Sequence, residues 1–141
     1  MNKSRLFLIG SIVFGCIAMF FQTGCQSKQR PAEEDRISKL AVFYGRYISK
    51  NGGKSPVNEK ELKDFIQKND SSVNLDELFV SPRDKESYVV FYGARQSTPG
   101  AKTVTVHEKA GVNGKKMVGL ATGQVETVDE TELKQLLSSS K

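Results

Sequence analysis

Apolar residues recur at intervals of three and four between residues 37 and 48. Ile37, Leu40, Ala41, Tyr44, Tyr47 and Ile48 fall on one side of a 3.6-residue helix. Pro31 and the acids Glu33, Glu34 and Asp35 suit its first turn, and Asn51-Gly52-Gly53 ends it. A second helix is predicted from Asn58, a capping residue with Glu61 three positions on, and Leu62, Phe65 and Ile66 form its apolar side. Leu75, Leu78, Phe79 and Val80 have no clear period and predict a packed connector or a short helical turn. The pattern then changes to strands. Tyr88-Val89-Val90-Phe91-Tyr92 is β-branched and aromatic, and Thr103-Val104-Thr105-Val106-His107 alternates, which predicts Val104 and Val106 on one face and Thr103, Thr105 and His107 on the other. Asn113-Gly114 predicts a hairpin into a strand over 117–121, and Gly123-Gln124 turns into Val125-Glu126-Thr127-Val128. Asp129 with Glu132 opens a last short helix carrying Leu133, Leu136 and Leu137. The order predicts an α+β fold over residues 32–141. A long first helix and a second helix pack on one face of an antiparallel meander of about four strands.

The N-terminus changes the picture. Lys3 and Arg5 precede residues 6–21, sixteen positions without a charge, and the chain turns polar at Gln22. That is the order of an export signal, and the stretch falls short of the roughly 20 apolar residues of a bilayer-spanning helix. Residues 1–24 therefore read as a cleaved signal peptide, with an uncleaved anchor as the alternative. Gln22-Thr23-Gly24-Cys25 resembles the lipobox of bacterial lipoproteins, in which the cysteine receives a diacylglyceryl group; Gln22 departs from it where the family carries Leu or another aliphatic residue. Cys16, after Val13-Phe14-Gly15, is a rival, but cleavage there leaves an apolar stub over 17–21. Cys25 is the predicted lipidation site, and residues 25–31 form a tether reaching at most about 25 Å. Lys28 and Arg30 in it add roughly 1 kcal/mol each against anionic lipid. The expected location is the periplasmic side of a membrane.

Composition then excludes several chemistries. With Cys25 lipidated no cysteine remains in the domain, so disulfides, thiol nucleophiles and cysteine-based zinc sites are not expected. Losing Lys3 and Arg5 leaves 19 basic residues against 16 acidic ones, spread along the chain, which does not point to nucleic acid. His107 is the one histidine, with Glu108 predicted on the opposite face; a triad with Asp84 and a serine has no nucleophile elbow to support it. The segment Gly111-Val112-Asn113-Gly114-Lys115-Lys116 lacks the spacing of a phosphate loop. Asp70, Asp76, Glu77, Asp84 and Glu86 are too scattered to predict a metal site, and Tyr44, Tyr47, Tyr88 and Tyr92 are expected in packing. No catalytic residue, cofactor or metal is predicted.

A Gly-Lys-Ser-Pro element before the second helix, the run Ser81-Pro82-Arg83-Asp84-Lys85-Glu86-Ser87-Tyr88-Val89-Val90-Phe91-Tyr92-Gly93, and a strand ending His107-Glu108 before a hairpin together resemble the pseudopilin-like globular domains of planctomycete secreted proteins. That resemblance spans residues 37–137 and implies a long helix on an antiparallel sheet. True pseudopilins carry a prepilin cleavage site and a glutamate near the start of the apolar helix; residues 6–21 contain no acid. The expectation is a membrane-anchored, non-enzymatic interaction or structural domain of the cell envelope, with an envelope protein as partner. The alternatives are a pseudopilin-like component of a secretion apparatus and a small hydrolase centred on His107.

Overall fold

The computed structural model describes residues 31–93 and 102–139; Cys16, Cys25, the predicted signal over 1–24, residues 25–30 of the predicted tether and the Pro99-Gly100 loop lie outside them. The described residues form an α+β fold in the order α1 (Ala32–Lys50), α2 (Glu59–Asn69), α3 (Leu75–Leu78), β1 (Val89–Val90), β2 (Val104–His107), β3 (Lys115–Leu120), β4 (Val125–Asp129) and α4 (Glu130–Ser139). The strands make one antiparallel sheet in the order β1-β2-β3-β4, a meander as the turn signals predict.

Helix α1 is the centre of the larger core. Ile37, Leu40, Ala41, Tyr44 and Tyr47 are buried on the predicted stripe, and Ser38 and Phe43 are buried beside it. The buried sector is wider than the periodicity implies because α1 meets β2 and β3 on one side and α2 and α3 on the other. At α1's C-terminus the Asn51 N–H is taken by the Tyr47 and Ile48 carbonyls, and Gly52 and Gly53 adopt positive φ. Asn58 caps α2 through the Glu61 N–H at 3.0 Å, but the Glu61 carboxylate reaches Val57 N–H and the Tyr47 hydroxyl instead of closing the box on Asn58. The connector after Val73 is the single turn α3, capped by Asn74.

Three expectations about the sheet need correction. Val104 pairs with Leu120 while Val106 pairs with Gly119, so Thr105 and Val106 share one partner in a β-bulge. The extra residue puts Val104 and Val106 on opposite faces. Val106 joins α1's core, and Val104 joins Val118, Leu120, Val128 and Leu133 in a second cluster. That cluster lies under α4, so helices cover both faces of the sheet and not one. The strand predicted over 88–92 is also shorter in the ladder, which holds only Val89 and Val90, with Phe91 N–H donating to Thr105 O at 3.0 Å.

Two glycines let α1 approach the sheet. A Cβ on Gly119 would come within 2.7 Å of Val106 Cγ1 and 3.0 Å of Ala41 Cβ, and one on Gly45 within 2.0 Å of the Ala121 carbonyl oxygen. Alternation in β3 then turns Met117 and Gly119 to α1 and Val118 and Leu120 to α4.

Candidate functional site

The polar side chains that the fold brings together gather at the start of α1. There a turn over residues 81–86 meets the β2–β3 hairpin. The turn is closed by Ser81 N–H to Glu86 O at 2.9 Å and Lys85 N–H to Ser81 O at 3.1 Å, with Lys85 at φ 62°. Glu108, just past β2, is 1% exposed. Its carboxylate accepts from Ser81 Oγ at 2.9 Å, Arg83 Nη1 at 3.2 Å and Met117 N–H at 2.9 Å. Ser81 Oγ in turn accepts from Arg83 N–H at 3.1 Å. Arg83 is itself 13% exposed and reaches Glu33 in α1's first turn at 4.0 Å. Asp84 accepts from the N–H groups of Gly111 at 2.8 Å and Ala110 at 3.1 Å. Burial works against the Asp84 charge, yet the N–H donors of Gly111, Glu86 and Ala110 hold its carboxyl below the usual range.

This arrangement ties loop, hairpin and helix together. Each carboxylate faces donors of the fold, which replace the water its oxygens lose on burial. The sequence marks Asp84 and Glu108 as acids but not their convergence with Ser81 and Arg83. A buried Glu–Arg pair leaves no periodic trace in one sequence.

His107 lies elsewhere. It is 8% exposed, on the α4 face of β2, with its ring 5.6 Å from that of Phe91. Nδ1 lies 2.7 Å from Glu108 O, a contact in which the ring N–H donates and the carbonyl accepts. Its imidazole is held below the ordinary value by burial and by Lys116, against the Glu108 carbonyl bond and Glu130. Lys116 and Glu130 pair with each other at 3.1 Å. His107 and the Glu108 carboxylate point apart as predicted, and Asp84 is engaged by the hairpin N–H groups.

The tyrosines are packing residues. Tyr44 OH donates to Phe91 O at 2.6 Å, and the Tyr47 hydroxyl is pushed up to about 12 by its bond to Glu61 and by burial. The Tyr88 and Tyr92 hydroxyls are buried without a hydrogen-bond partner among the described residues, and burial pushes Tyr88 up to about 12. Among the described residues no group of three or more His, Cys, Asp or Glu is placed to hold a metal, and no helix is long and apolar enough to cross a membrane. The predicted lipidation site, Cys25, lies outside the described residues. A shallow groove of about 390 Å³ runs between β4 and α4. Comparison with known proteins finds no matching family model, no matching curated protein and no matching solved structure.

Proposed function

We propose that the chain is an exported lipoprotein, held on the periplasmic side of a membrane through Cys25, whose α+β domain is a non-enzymatic interaction or structural module of the cell envelope. The observation that carries it is Thr23-Gly24-Cys25 closing the uncharged stretch 6–21, with only residues 26–30 between that cysteine and Pro31. So short a step keeps the start of α1 close to the lipid. Support for a non-enzymatic domain comes from Asp84 and Glu108, whose carboxylates face backbone and side-chain donors of the fold. A fatty-acid analogue fed to cells labels the wild-type protein; Cys25→Ser abolishes the label and releases the protein from membranes, and Cys16→Ser keeps both. Label retained in Cys25→Ser, or lost only in Cys16→Ser, overturns the assignment. A pseudopilin-like role is the second reading, favoured by a long helix laid on a four-stranded meander. It predicts co-purification with an oligomeric secretion assembly.

A further inference from the structure

Strand β4 is the last of the sheet, with β3 on one side and no strand on the other among the described residues. Antiparallel pairs alternate between those that exchange backbone hydrogen bonds and those that do not. Leu120 N–H donates to Gln124 O at 2.9 Å, which sets the alternation. Glu126 opposite Val118 and Val128 opposite Lys116 are then the bonded pairs, and Val125 and Thr127 turn their N–H and C=O outward. Beside this edge lies the groove of about 390 Å³, lined by Glu126 and Val128 of β4 and Glu132, Gln135, Leu136 and Ser139 of α4. No β3 residue lines it, so it opens at the free edge. Its lining holds two carboxylates and no basic side chain; Lys102 pairs with Glu126 Oε1 from one side, and Glu132 Oε2 accepts the Asp129 N–H, so each acid offers the groove its other oxygen.

We infer that β4 and α4 form a docking site for an extended segment of a partner protein, which adds as a fifth strand beside β4. Its apolar side chain enters the groove over Val128 and Leu136, and Lys or Arg two residues to either side, on the same face of the added strand, meet Glu126 and Glu132. The backbone of Val125 and Thr127 supplies the strand pairing, and the groove and its acids select the side chains. This names the partner class for the interaction role proposed above and rests on that role, not on the anchor at Cys25.

The test uses the full chain in neutral detergent with two probes: an acetylated, amidated Lys-Thr-Val-Thr-Lys peptide, whose Val and two Lys share one face when extended, and its counterpart with Glu in place of Lys. The basic probe shifts the amide resonances of Val125 and Thr127 and the methyl resonances of Val128 and Leu136 saturably, and the acidic probe does not. Thr127→Pro removes an outward donor and no ladder bond, so it weakens the basic probe about fivefold, the worth of one backbone hydrogen bond. Leu136→Lys places a cation in the groove without touching β4 and weakens the same probe. Resonance shifts confined to other surfaces, equal binding of the two probes, or unchanged binding in both variants overturns the inference. Cys25→Ser keeps the probe binding, so failure of the anchor and failure of the docking site are seen separately.

Discussion

Glu108 shows how a charge is kept inside this protein. At 1% exposure it has lost nearly all its water, and Ser81, Arg83 and the Met117 N–H replace it. Arg83→Ala removes the only cation in that set and leaves a buried carboxylate uncompensated, at a cost of roughly 3–5 kcal/mol in urea unfolding. Lys109→Ala removes a partner of Glu86 at the surface and leaves the midpoint unchanged. His107 makes an opposite, pH-dependent contribution. Burial first, and Lys116 next, hold its folded value below the about 6.5 of an unfolded chain, while the Glu108 carbonyl and Glu130 oppose them. The unfolded state therefore binds the proton better. Stability is intact above about pH 6.5 and is lost as pH falls below it toward the folded value. Asp84, also depressed, loses its contribution only at more acid pH, below about 4. His107→Gln should flatten the fall in melting temperature between about pH 7 and 5 and leave the acid limb in place. A wild-type curve that is flat there, or a variant that falls equally, would show that the ring is not desolvated in solution.

Between elements, what matters is how closely α1 approaches the sheet. Gly119 faces Ala41 and Ile37 across that contact, and a Cβ there would meet Val106 and Ala41 side chains at 2.7 and 3.0 Å. Gly119→Ala overpacks a site that has no flexible neighbour and should cost roughly 1–3 kcal/mol by chemical denaturation. Gly45→Ala is the harsher change because the opposing atom is the Ala121 carbonyl oxygen, so α1 itself must move. A Gly119→Ala protein as stable as wild type would mean that α1 is held less closely. Neither glycine announces itself in the sequence, where both look like ordinary members of a helix and a strand. The elements themselves are legible there: the stripe from Ile37 to Tyr47, the Asn58 cap, and the reciprocal box of Asp129 and Glu132, in which each carboxylate accepts the other's N–H at 2.8 and 2.9 Å. What strict alternation could not show is the bulge at Thr105, since one additional residue reverses the faces of Val104 and Val106 without changing composition. The same slip explains why α4's cluster on the far face was not anticipated. The site was less legible than the fold, because Ser81, Arg83 and Glu108 are 25 and 27 residues apart across their contacts and only tertiary structure joins them.

At the scale of the whole molecule, the sheet makes two cores into one thermodynamic unit. Leu40 is fully buried in the cluster with α1, α2 and α3, and Leu133 is 3% exposed in the cluster under α4. The two sets of side chains do not mix, yet β3 contributes to both, Met117 to one and Val118 and Leu120 to the other. A strand cannot lose its packing on one face and keep its backbone pairing fixed for the other, so the two faces should melt together. Leu40→Ala and Leu133→Ala should each cost roughly 2–5 kcal/mol and shift a single transition. Lys39→Ala, next to Leu40 and 45% exposed with Asp70 at 3.9 Å, should leave that transition in place. Tyrosine near-ultraviolet dichroism follows the α1 side, where Tyr44, Tyr47 and Tyr88 lie, and amide exchange at Val118 follows the α4 side. Coincident curves from the two probes in a chain beginning at Pro31 would show that the domain folds without residues 1–30. Two separate transitions, or a Leu133→Ala protein that loses only the protection at Val118, would show instead that α4 is a docked appendage on a core built by α1 alone.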